Sequence, residues 1–179
     1  MPPSVFPTGV TIYDPEKAYN CYVLFDGRDD RGHLIDMNGN VVKSYPYSGW
    51  PIEMIDPAEH DGKKGHVLGQ KEPDAFNNEN VVEMDWDGNI VWEWGKDAPG
   101  GKAGQDHDLA RLPNGNTLIL GYFPRVVPEI SDEPVRDQNI YEVTPQGELV
   151  WQWSAIDHRE QLGIAPEDIG LLLDPKVRN

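Results

Sequence analysis

The stretch Gln105–Tyr122, QDHDLARLPNGNTLILGY, decides how the chain is read. A run from His107 to Leu112 stops at Pro113, and Asn114-Gly115 follows. That dipeptide is a strong hairpin signal, because a type I′ turn needs φ > 0 at both central residues. Thr117-Leu118-Ile119-Leu120 then gives an apolar, partly β-branched strand. The first strand opens with Asp106-His107-Asp108, a titratable cluster where a loop enters a sheet.

Working outward, the hairpin recurs. His33–Tyr45, Val81–Trp94 and Ile140–Trp153 each read as an apolar strand, an x-Gly turn and a second apolar or tryptophan-rich strand. Their turn glycines, Gly39, Gly88 and Gly147, lie 49 and 59 residues apart. Each hairpin is preceded by another strand pair: Gly9–Tyr13 with Cys21–Phe25, Pro51–Ile55 with Gly65–Gly69, and His107–Leu112 with Thr117–Gly121. Four antiparallel strands per ~50 residues is the signature of a propeller blade. The expected fold is therefore all-β, with three four-stranded blades at about 8–46, 50–94 and 106–153.

In that frame the innermost strand opens each blade and its start faces the channel mouth. Period-2 alternation puts Trp92 with Trp94, and Trp151 with Trp153, on one face of an outermost strand, where each pair packs on a neighbouring blade. Glu72–Glu79, Lys96–Gly104 and Tyr122–Gln138 read as insertions, the last folding over one end of the channel. After Trp153 the pattern changes. Ala165-Pro166-Glu167-Asp168 resembles a helix start, and 154–179 is expected to be a short helical connection leaving the sheet. Three blades do not close a ring, since propellers have 4–8. The expectation is half of a six-bladed ring, completed by a second polypeptide, another copy, or the rest of a precursor cleaved after Asn179.

Composition limits the function classes. The chain has 179 residues and a net charge of −16. That charge argues against nucleic acid, whose phosphates need a basic face, and against an anionic membrane surface. Cys21 is the sole cysteine, so no internal disulfide can form and no Cys/His zinc pattern exists. Met1–Gly9 has no charged n-region or apolar h-region, and no apolar run approaches the ~20 residues of a membrane helix. The expected location is cytoplasmic, or periplasmic if a leader was removed. The turns Asp36–Asn40 and Asp85–Asn89 suggest calcium at first sight but lack the rest of an EF-hand loop, so they read as tight turns and no metal is assigned. There is no GxxxxGK[ST], GxGxxG or GxSxG run, and no cofactor is expected.

Thr8–Asn20 (TGVTIYDPEKAYN), Leu34–Val42 (LIDMNGNVV) and His107–Leu120 (HDLARLPNGNTLIL) resemble the bacterial arylsulfotransferase family, over roughly Thr8–Trp153. The resemblance implies a six-bladed propeller that moves a sulfuryl group between phenols through a sulfated histidine, with histidines and an arginine binding the sulfate. The family's nucleophilic histidine lies in the other half of the ring. This chain departs from well-studied members in showing neither an export signal nor a disulfide.

Sulfuryl transfer needs a nucleophile, a way to neutralise sulfate oxygens, and an acid for the leaving phenolate. His107 is the local candidate, as a cation holding a sulfate oxygen or as a proton shuttle. Asp106 and Asp108 flank it, although strand alternation places both on the other side. His60, followed by Asp61 in an apparent turn, and Arg125, which could clamp an anion bidentately, complete the candidate substrate-binding set with Asp108. Arg111 is expected at the end opposite the mouth, His66 reads as structural within a strand, and His33 and His158 belong to no constellation. Two alternatives stand beside the transferase. Cleavage after Asn179 could expose an N-terminal nucleophile, giving an amide or ester hydrolase. The ring could instead bind a small aromatic ligand without chemistry.

Overall fold

A computed structural model of the chain describes residues 10–71, 79–165 and 168. Three antiparallel sheets follow one another in sequence. The first holds β1 (Val23–Asp26), β2 (Gly32–Ile35) and β3 (Val41–Tyr45). The second holds β4 (Glu53–Met54), β5 (Val67–Gln70), β6 (Val81–Met84) and β7 (Ile90–Trp94). The third holds β8 (Gln105–Arg111), β9 (Thr117–Val127), β10 (Ser131–Val143) and β11 (Leu149–Ser154). In each sheet the strands pair in chain order. Two single turns of 3-10 helix lie between strands, Pro57–Glu59 and Pro99–Gly101. No helix of the described residues is long and apolar enough to cross a membrane.

One turn chemistry builds the second hairpin of every sheet. Gly39, Gly88 and Gly147 each donate N–H to the carbonyl three residues back, at Asp36, Asp85 and Thr144, with φ of 81°, 90° and 86°. The first residue's side chain ties the loop from inside. Asp36 Oδ1 accepts from the N–H groups of Asn38 and Asn40, Asp85 Oδ1 from that of Asn89, and Thr144 Oγ1 from that of Glu148. The side chains of Asn40 and Asn89 also hold the two carboxyls below their usual range. These are the turns with a calcium-like spelling, and their oxygens are spent on their own backbone.

The Asn114-Gly115 turn belongs to the same type and is not I′. Gly115 N–H donates to Leu112 O, and only Gly115 has positive φ, at 85°. Pro113 explains the difference: its fixed φ suits the first central position of a type I turn, so the turn starts one residue earlier and Gly115 takes the left-handed position after it.

The second sheet is the middle layer. β5 and β6 are buried at every position. Alternation splits them between two cores. Val67, Val82 and Met84 pack with Tyr45 and Ile52 toward the first sheet, while Leu68, Val81 and Trp94 pack with Leu109, Ile119, Tyr141 and Val143 toward the third. Each fully buried aliphatic side chain is worth roughly 1.5–3 kcal/mol, so these two cores dominate the cohesion of the stack. Trp94 lies against Tyr141 with ring centroids 5.5 Å apart, so the Trp92/Trp94 pair does face a neighbouring sheet.

The outer sheets have no such cover on their far sides among the described residues. On the first, Phe25 is 41% exposed, and Val23 and Val42 are exposed with it. On the third, Ala110, Leu118, Glu142 and Trp151 are register partners on one face, and Trp151 is 47% exposed.

Several expectations need correction. The first sheet has three strands, not four. Val10–Tyr13 is not strand, and Ile12 is 88% exposed. So short an edge segment offers few ladder bonds, and the turn closed by Lys17 and Ala18 N–H on Asp14 O carries the chain elsewhere. Tyr122–Gln138 is no covering loop but the continuation of β9 and β10 into a two-stranded arm. Arg125–Asp137 pairing, the stacking of Arg136 on Tyr122 at 3.8 Å, and packing of Val127 and Val135 on Ile156 hold it. Residues 155–163 form consecutive turns. Most of the expected helix at 165–173, most of the Glu72–Glu79 insertion, and Gly9 lie outside the described residues.

Candidate functional site

Polar side chains gather at both ends of the junction between the second and third sheets. At one end is His107. The β8–β9 register shifts between Gln105 and Leu109, so Asp106, His107 and Asp108 bulge out of the ladder. His107 has φ of 69°, a left-handed conformation uncommon outside glycine, although histidine adopts it more readily than most residues. Its side chain is 70% exposed, and its ring lies 5.8 Å from that of Trp50, also exposed.

The bulge breaks the alternation that would have parted His107 from its neighbours. Asp106 Oδ1 lies 3.7 Å from His107 Nε2, whereas the sequence pattern places it on the far side. Asp106 Oδ2 accepts from Arg136 at 2.6 Å and Gln138 at 2.9 Å, which anchors the bulge to the β10 arm. Asp108 turns back to its own strand, accepting from Leu109 N–H at 2.9 Å. Burial, reinforced by the Asp108 and Glu59 charges, raises the pKa of Glu53, which the register sets level with Glu83 across Leu68.

At the other end is Glu83. β6 is apolar but for this residue, and alternation turns it toward the third sheet, where it is 3% exposed. A carboxylate so buried must be paired. Arg111, at the end of β8, donates Nη2 to Glu83 Oε2 and Nη1 to Gly115 O at 2.8 Å, with its guanidinium 5.7 Å from the Trp92 ring centre. Glu83 Oε1 meets His66 Nδ1 at 2.6 Å and His60 Nε2 at 2.8 Å, and the two nitrogens are 3.2 Å apart.

Both histidines come from the β4–β5 loop. The turn Pro57–Glu59, capped by Asp56 Oδ1 on Ala58 N–H, sets His60, whose N–H donates to Pro57 O. His66 sits one residue before β5, its carbonyl accepting from Ile55 N–H. Burial lowers the pKa of His60, with Glu83 opposing and His66 assisting. The group opens on a cleft of about 580 Å³ between the loops of the two sheets, lined also by Glu59, Asp61, Lys63 and Asp85. Among the described residues, His60, His66 and Glu83 are the trio of potential metal ligands whose donor atoms all fall within 4.8 Å.

The sequence candidates therefore separate. His107 and Asp108 share one end, while His60 is at the other with Glu83. His60 belongs to a buried constellation rather than a solvated turn, and His66 joins it rather than serving the ladder. Arg125 is not a free anion clamp. Its Nε donates to Asp137 at 2.7 Å, and its Nη2 to Asp157 at 2.5 Å and Ser154 at 3.1 Å. Burial opposes its charge, but the bonds to Asp157 and Asp137 outweigh that and raise its pKa. With two carboxylates already on it, it ties the β9–β10 arm to the segment after β11. His33 does have partners, Asp29 at 2.9 Å and Ser44 at 3.0 Å, and this string pins the β1–β2 turn to β3. His158 stacks on Trp153 at 4.9 Å.

Glu83 is the residue that sequence reasoning missed, while His66 was read as structural and Arg111 was placed only by its end of the strand. The available signal was a lone carboxylate inside an otherwise apolar, fully buried strand. Among known proteins, no family model and no curated sequence matches this chain.

Proposed function

We propose that the three sheets are blades of a β-propeller completed by a second polypeptide, and that the assembled ring transfers a sulfuryl group between phenols. The strand order supports the blade reading, since each sheet pairs in chain order and the sheets stack through alternate faces of the middle one. The uncovered apolar faces of the first and third sheets support a partner on each.

The observation that carries the chemistry is His107, held exposed in a left-handed conformation beside an exposed tryptophan. Such strain persists at sites where geometry matters more than local stability. Trp50 offers a face on which a phenol ring can stack. In the reaction, the S–O bond of the aryl sulfate breaks as an S–N bond forms to a histidine of the partner polypeptide. The His107 imidazolium gives its proton to the departing phenolate, then takes one from the acceptor phenol as its oxygen attacks sulfur and the S–N bond breaks.

The test is phenol release from an aryl sulfate by the assembled protein, with a second phenol as acceptor. His107→Ala is expected to slow transfer by about 10²–10⁴, the range for a positioned acid–base group. Absence of phenol release by the intact assembly removes the proposal. Release that is unchanged in His107→Ala but lost in Trp50→Ala leaves binding at this end and takes the chemistry away from it.

A further inference from the structure

We propose that His60 Nε2, His66 Nδ1 and Glu83 Oε1 are the protein ligands of a divalent transition-metal site, zinc by preference, whose fourth position opens on the cleft between the second and third sheets. The inference is independent of the sulfuryl-transfer reading, because the trio lies at the opposite end of the sheets from His107.

Convergence is the first argument. Three donor atoms from three residues meet with separations of 2.6, 2.8 and 3.2 Å. Tetrahedral zinc with bonds near 2.0–2.1 Å holds its ligand atoms about 3.3–3.4 Å apart. The trio falls short of that spacing by about 0.1 to 0.8 Å, most at the His66–Glu83 pair, so a small spreading of all three side chains admits the ion. In the metal-free chain the two lone pairs of Glu83 Oε1 can accept from both imidazoles, but only with the two nitrogens side by side at 3.2 Å, a crowding that one shared cation would relieve.

Donor chemistry is the second argument. Two imidazoles and one carboxylate suit zinc, whereas calcium and magnesium take oxygen sets. Three protein ligands facing a cleft leave a place for water or an anionic ligand. The outer contacts also fit. Arg111 grips the other carboxylate oxygen of Glu83, fixing which oxygen faces the metal, and is itself held by Gly115 O. Asp56 caps the turn that aims His60.

Charge is the third. Glu83, Glu59, Asp61 and Asp85 face the cleft against Arg111 and Lys63, an excess of two negative charges that a divalent ion would neutralise. The sequence hides the site because its ligands come from a loop and a strand, with no metal-motif spacing between them.

The test is zinc titration of the chelator-stripped chain against a chromophoric chelator, with cobalt(II) absorption as a second readout of coordination geometry. One zinc per chain and an intense tetrahedral cobalt spectrum are expected. His60→Ala and His66→Ala should each weaken binding beyond the roughly 10–100-fold that loss of an outer contact costs. Glu83→Gln, which keeps volume and neutralises the ligand, should do the same. His107→Ala should bind as the parent does. Each variant is compared at matched circular dichroism, and one that fails to fold is replaced by His66→Asn. Failure to bind zinc or cobalt at micromolar metal, or binding unchanged in both histidine variants, overturns the proposal.

Discussion

Arg111→Met in the metal-free chain tests how the middle and third sheets are joined. Arg111 is 6% exposed and Glu83 3%, so the substitution leaves a carboxylate between sheets without its cation. Removing one partner of a buried pair costs about 3–5 kcal/mol. Here His60 and His66 can still donate to Glu83 Oε1, which puts the electrostatic loss near 3 kcal/mol. The lost bond to Gly115 O adds about 1 kcal/mol. The total, about 4 kcal/mol, is a large share of the 5–15 kcal/mol that holds a domain. Urea unfolding followed by tryptophan fluorescence measures it. The double variant Glu83→Gln/Arg111→Met removes both charges and should be less damaged than Arg111→Met alone, a non-additivity expected of groups in one network. A loss under about 1 kcal/mol, the level of an exposed pair such as Lys71–Glu93, would show that Glu83 is not buried as described.

Three further outcomes follow from the same structure. Gly65→Ala should destabilise by about 2 kcal/mol or more in thermal unfolding, since φ is +75° and the new Cβ would lie 2.5 Å from the Trp86 ring. His107→Gly should raise stability by up to about 1 kcal/mol, by relieving the left-handed backbone, while slowing phenol release as much as His107→Ala does. In Asp157 the hydrogen bond from Arg125 holds the carboxyl below its ordinary 3.8, so its contribution is present above that pH and lost as pH falls through the lower folded value. Asp157→Asn should therefore lose stability at neutral pH and converge with the parent in acid, by no more than about 1 kcal/mol because the pair is half exposed. Unfolding curves from pH 2 to 7 measure that convergence.

The hairpins were readable because their chemistry is local. Asp36, Asp85 and Thr144 each cap a turn closed by glycine three residues on, and the apolar runs beside them alternate. Reading failed where one residue outweighed the pattern. Pro113 moved the turn of the opening hairpin by one position, and the bulge at Asp106–Asp108 placed His107 beside a carboxylate that alternation assigns elsewhere. The β9–β10 arm was missed because prolines at 124, 128 and 134 read as loop, while the Arg125–Asp137 pair that holds it spans both strands. The Glu83 constellation needed three dimensions: its histidines come from the β4–β5 loop, its carboxylate lies in β6, and its arginine comes from another sheet. Only Glu83 itself, charged inside an apolar strand, marked the place.

The central claim is that the outer faces of the first and third sheets are built to be covered. The native mass of the purified protein at micromolar concentration tests it most directly. An assembly heavier than one 20.2 kDa chain, in which Trp151 fluorescence is shielded from a soluble quencher, is the expected result. A monodisperse species of 20.2 kDa, with Trp151 freely quenched and the fold intact, would contradict it.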